Sequence, residues 1–192
     1  MTRLQAICLA ITLLSATLVA TLYIDRQPPL PIIDSLGGDF TLPSSSGKPV
    51  ALQQLRGSVV LLNFGFTSCP DVCPTALSKM ANSLKLLDSD AQGVQPLFIT
   101  IDPQRDTLDK LGPYLQWFHP SIIGLRGDQQ QLQTVAELYR VLHQKEQLDS
   151  QLGYGFIHND HIYILDKQGR VRAMHSGSSS AEKIAIDIRR LL

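Results

Sequence analysis

The chain has 192 residues, 44% of them hydrophobic, and its 17 basic side chains balance 17 acidic ones. With no net charge and no basic cluster, it lacks the electrostatic footprint that nucleic-acid binding requires. The composition is that of a folded protein, one domain with an appendage, without repeats or long low-complexity stretches.

The appendage comes first. Leu4 to Ile24 carries no charge, and about 20 apolar residues are enough to span a bilayer. Arg3 ahead of the run keeps the N-terminus cytoplasmic and sends the rest across. Residues 1–26 are therefore expected to be a single-pass membrane anchor, with the domain on the exported, periplasmic side of a bacterial-type cytoplasmic membrane. A cleaved signal peptide is the rival, but it has a shorter apolar region and an A-x-A site, which is missing here. Cys8 falls inside the apolar run and reads as a bystander. Residues 27–46, with Pro28, Pro29 and Pro31, read as a linker and lead-in. Residues 47–192 are the domain.

A short strand is expected over Asp39 to Leu42, then a Ser/Gly/Pro turn to Pro49. Val59 to Phe64 is a β-branched, apolar strand. A Gly-containing turn leads to Cys69 and Cys73, and a helix follows over Thr75 to Asp88, with Leu77, Met80, Leu84 and Leu87 inward. Pro96 to Ile101 is a buried strand. Asp102 to Thr107 is a loop in which Asp106 is placed to cap a helix reaching about Phe118. Ile122 to Leu125 is a strand, and Asp128 caps a helix running to about His143. Glu146 to Gly155 reads as a polar loop. His161 to Asp166 and Val171 to His175 form a hairpin. Ser179 to Glu182 has the capping-box pattern of a last helix. This order predicts an α/β, thioredoxin-like fold: a central mixed sheet flanked by helices.

Strand, turn and cysteines at a helix start are how that fold presents its thiols. Here three residues separate the cysteines, where thioredoxins have two. If both are helical, i and i+4 project from one face, and Pro70 suits the first turn. The helix start favours thiolate over thiol. A purely structural disulfide would close so short a loop that it would constrain little. In an oxidising compartment Cys69 and Cys73 form a redox-active disulfide, which must be reduced before any metal binds.

Of the five histidines, His158 falls just before the hairpin, where thioredoxins place a cis-proline against the cysteines. Two thiolates and one imidazole suit copper, Cu(I) above all. Zinc is the other candidate, although a structural zinc site wants four ligands.

From about Gly47 onward the chain resembles the Sco/SenC family, membrane-anchored copper-binding factors that help assemble the copper centre of cytochrome c oxidase. The resemblance rests on GFTSCPDVCP (Gly65 to Pro74), TIDPQRDT (Thr100 to Thr107), GLRG with the helix ending in LYRV (Gly124 to Val141), and His158 with Tyr163 and Gly169 beyond it. It implies Cys69, Cys73 and His158 as copper ligands. It implies as partners a copper-accepting oxidase subunit, thiol reductants and other copper carriers. One departure stands out: the family has Asp before the histidine, and this chain has Ile157. An Asp-His pair occurs at Asp160-His161, but choosing His161 breaks the spacing to Tyr163 and Gly169. For Asp102, Arg105 and Asp106, contact with a partner or with the metal loop is one reading; capping and a structural salt bridge is the expected one, with no part in the chemistry.

Two functions remain. One is a copper metallochaperone without turnover, carrying Cu(I) or Cu(II). The alternative is a thiol–disulfide oxidoreductase, in which Cys69 attacks and Cys73 resolves. A peroxidase ranks last, since it needs another motif around its attacking thiol.

Overall fold

The computed structural model describes residues 3–25, 28–149 and 153–192, without the side chains of 3, 4 and 17–25. Helix α1 (Arg3–Asp25) comes first. Among the described residues no helix is long and apolar enough to cross a membrane; the anchor expected over residues 1–26 falls on them only in part. The domain then runs β1 (Thr41–Leu42), β2 (Val50–Ala51), β3 (Val59–Gly65), α2 (Val72–Leu87), β4 (Val94–Thr100), α3 (Leu108–Gln116) and β5 (Ile123–Leu125). It continues with α4 (Gln129–Leu138), β6 (His143–Gln147), β7 (Tyr154–His158), β8 (Ile162–Leu165), β9 (Val171–His175) and α5 (Ala181–Arg189).

Five strands form the central sheet in the order β5-β4-β3-β8-β9. β3 lies at its centre, parallel to β4 and antiparallel to β8. All seven of its residues are buried, as expected of a strand covered on both faces. Alternation divides them: Val59 and Leu61 face the α2, α3 and α5 side with Leu77, Met80, Leu111 and Ile184. Val60, Leu62 and Phe64 face the other layer with Leu132, Tyr139 and Tyr163. Cys69 and Cys73 belong to this second layer. The mixed α/β sheet is the one the sequence predicts.

Four local expectations change. Helix α2 starts at Val72 with Asp71 as N-cap, so Cys69 and Pro70 precede it and only Cys73 lies in its first turn. Helix α4 stops at Leu138 instead of reaching His143, because Arg140 turns to φ 50°, a left-handed conformation that no α-helix continues through. The two ends of the segment expected as a loop, 146–147 and 154–155, belong to a two-stranded ribbon in which β6 is antiparallel to β7 and His143 stands opposite His158, while residues 150–152 lie outside the described residues. Helix α5 is capped by Ser180, one residue later than the capping-box pattern places it.

Candidate metal centre

The sulfurs of Cys69 and Cys73 and a ring nitrogen of His158 all lie within 4.8 Å of one another. Three elements bring them there. The turn after β3 carries Cys69, the first turn of α2 carries Cys73, and the end of the β6–β7 ribbon carries His158. Cys73 Sγ stands 3.4 Å from His158 Nε2. Both cysteines are free thiols and buried, Cys73 at 1% exposure and Cys69 at 7%. Gly65, at the end of β3, makes room for Cys73: a Cβ there would stand 2.7 Å from its sulfur.

The two thiols differ in proton affinity. Cys69 is lowered to about 4, chiefly by a hydrogen bond from the Cys73 thiol, which outweighs the cost of burial. Backbone N–H groups of Asp71 and Cys73 add to this, and the Cys73 N–H lies 3.4 Å from Cys69 Sγ. Cys73 is raised, since its proton is held by the Cys69 sulfur and its surroundings are dry. At neutral pH the pair is one thiolate and one thiol. The His158 ring has a fixed sense: Nδ1 lies 3.0 Å from the Asn159 carbonyl oxygen, which can only accept. Nδ1 therefore carries a proton and Nε2 is the ring nitrogen turned to the sulfurs, the one that can offer a lone pair to a cation. Two soft sulfurs and one such nitrogen can take a thiophilic cation.

The other histidines stand elsewhere. His161 faces Tyr163, with ring centroids 6.1 Å apart, and its Nδ1 lies 3.1 Å from Asn159 Nδ2. His119 lies beside Ser121, and His175 pairs with Asp187 at 3.1 Å. Ile157 is 60% exposed on the outer face of the ribbon. A side chain at that position points away from the cysteines, and the Asn159 carbonyl holds His158 Nδ1 instead.

The Asp102–Thr107 loop departs from expectation. The N-cap of α3 is Thr107, without a side-chain bond. Asp106 is fully buried and accepts from the Thr67 N–H at 3.0 Å, the Thr67 hydroxyl at 2.5 Å and the Thr100 hydroxyl at 2.6 Å. It thus holds the cysteine turn from beneath. The expected Asp102–Arg105 salt bridge is present. Asn63, mid-strand and buried, donates to the His161 carbonyl at 3.0 Å and steadies the turn after His158. Sequence reading missed Asn63 and Thr67. The one signal for Asn63 was a polar residue inside the apolar run of β3. A groove of about 260 Å³ opens on Cys69, lined by Phe66, Pro70, Val72, Leu148 and Phe156 among others.

The family model described as SCO1/SenC matches residues 32–192. The chain belongs to the SCO1/SenC family. Among solved members, ScoI of Bradyrhizobium japonicum with copper bound is 36% identical at TM-score 0.75, covering 82% of this chain and 99% of that one. Among curated relatives, the bovine mitochondrial SCO2 homolog is 39% identical over 80% of this chain and 58% of its own length. The SCO2-like protein of Rickettsia conorii is 40% identical over 70% of this chain and 66% of its own. The SCO1/SenC region here is thus about two thirds or less of these curated relatives.

Proposed function

We propose that this chain is a membrane-anchored copper metallochaperone serving the assembly of cytochrome c oxidase. The observation that carries the reading is the convergence of Cys69, Cys73 and His158 on one point. Copper is the cargo. Cu(I) takes the Cys69 thiolate first, displaces the proton of Cys73, and completes its sphere with His158 Nε2. Three ligands leave the ion open to a fourth. The groove beside Cys69 lets an acceptor's thiolate enter there, so copper leaves by exchange of ligands. The acceptor in this reading is a copper-binding oxidase subunit, and the domain stands on the periplasmic face, held by residues 1–26. Thiol reductants keep the site loadable, and other copper carriers supply it.

The test is an anaerobic Cu(I) titration of the reduced full-length chain. About one ion per chain is expected to bind, and Cys69→Ser or Cys73→Ser should each remove it. A wild-type chain that holds no copper sinks the reading.

A second reading, thiol–disulfide exchange, is supported by the Cys69 thiolate beside a protonated Cys73. Cys69 would attack an acceptor disulfide and Cys73 would release it. The two fit together, since an acceptor's cysteines must be reduced before loading. Air oxidation should join Cys69 to Cys73 and expel the copper. Retention of copper by the oxidised chain argues against both thiolates being ligands.

A further inference from the structure

His158 stands on a ribbon that is not part of the central sheet. A two-stranded ribbon is at best marginally stable by itself, so what fastens its inner face decides where the imidazole stands. That face carries Tyr154, Phe156 and His158 by alternation. Phe66, in the cysteine turn, meets the last two, with ring centroids 5.4 Å from Phe156 and 5.8 Å from His158. The far end is fastened otherwise. The Arg105 guanidinium lies 3.8 Å over the Tyr154 ring and 5.7 Å from the Phe66 ring. Its Nη1 donates to the Tyr154 carbonyl at 2.9 Å. Asp102, 1% exposed, accepts from the Tyr154 hydroxyl at 3.0 Å and also pairs with Arg105.

We propose that Arg105, set by Asp102, is a positioning residue for the metal centre. It fixes the ribbon through Tyr154 and so places His158 opposite the thiols. Arg105 meets the ribbon at Tyr154 and reaches the cysteine turn through the Phe66 ring, whereas Asp106 holds that turn at Thr67. Its removal therefore loosens the nitrogen ligand more than the sulfurs, which Asp106 still holds through Thr67. Lysine cannot replace it fully, because the contact uses a planar fork stacked on a ring.

The inference rests on the copper reading above, and the experiment separates the two. Wild type, Arg105→Met, Arg105→Lys and Tyr154→Phe are loaded with Cu(I) and with Cu(II). Affinities are measured, and nitrogen hyperfine coupling is read from the Cu(II) paramagnetic resonance spectrum. Cu(I) is held well by two thiolates, and Cu(II) depends more on nitrogen. Arg105→Met should lower Cu(II) affinity by about tenfold, in the range seen when a ligand's support is removed, and weaken the nitrogen coupling. Cu(I) affinity should stay near wild type. Arg105→Lys should recover part of the loss, and Tyr154→Phe should show a smaller one. Equal losses for both ions, or none, overturn the inference while wild-type copper binding leaves the function standing. Wild-type Cu(II) spectra without nitrogen coupling overturn the inference together with the place of His158 in the site, and a wild-type chain that binds neither ion overturns the function as well. If Arg105→Met does not fold, the same comparison on Arg105→Lys decides.

Discussion

Cys69 and Cys73 share one proton near neutrality, where two independent thiols would hold two. Copper arriving at about neutral pH should therefore release about one proton per ion, and calorimetry in buffers of different ionisation heat counts it. Stability follows the same inequality. Cys69 loses its proton near 4 in the folded chain and near 9 in the unfolded one, so across that window the unfolded chain binds the extra proton. Stability of the reduced protein then rises with pH through the window. Above it the unfolded chain releases the second proton, which the raised Cys73 keeps, and stability falls again. Urea midpoints measured at about pH 5 and about pH 8 should differ more for wild type than for Cys69→Ser. At the histidine, His158→Ala should lower Cu(II) affinity by more than about tenfold and Cu(I) affinity less, while His161→Ala leaves both unchanged. If His161→Ala instead abolishes the sulfur-to-copper absorption of Cu(II), the assignment of His158 is wrong. The cysteines and His158 were legible because spacing and fold position name them. Asp106 was read as a cap because a carboxylate before a helix usually is one. Its three actual donors, Thr67 twice and Thr100, meet it only once β3 and β4 lie side by side.

Among the elements, those with a strong apolar period were the readable ones. β3, β4, β8 and the body of α2 stand close to where their residue patterns place them. The β6–β7 ribbon was not readable. β6 is His143–Gln147, HQKEQ, with four of its five residues exposed, so no alternation distinguishes it from a loop. The apolar spacing of α4 also extends past its true end: Leu142 fits the helical period, yet it is 77% exposed beyond the Arg140 turn. The start of α4 is a different matter. Asp128 accepts from the Gln131 N–H at 2.8 Å, and the Gln131 side chain accepts from the Asp128 N–H at 3.0 Å. Asp128→Ala should destabilise the fold by about 1 kcal/mol and leave copper affinity untouched, because α4 contributes no ligand. Thermal unfolding with and without copper checks both parts; a matching loss of affinity would tie α4 to the metal centre.

For the molecule as a whole, the anchor is the first matter to test. The charge-free run from Leu4 to Ile24 leads to the expectation that the full-length chain sediments with membranes and resists an alkaline wash, with the domain open to protease from the outer side only. A soluble periplasmic product beginning after about residue 20 would indicate a cleaved signal instead. The central sheet bears on the molecule in another way, through time. β3 pairs on one side with β4, a near neighbour in the chain, and on the other with β8, about a hundred residues later. Distant pairings are the slow ones, since the intervening chain must close before any contact rewards it. A chain made from its N-terminus has Cys69 and Cys73 in place before the ribbon and β8 exist. In that interval the thiols lack Phe156, Tyr154 and His158 as a cover, and any oxidant or stray metal meets two sulfurs alone. The order of synthesis thus makes the imidazole the last ligand to arrive, with only β8, β9 and α5 still to follow.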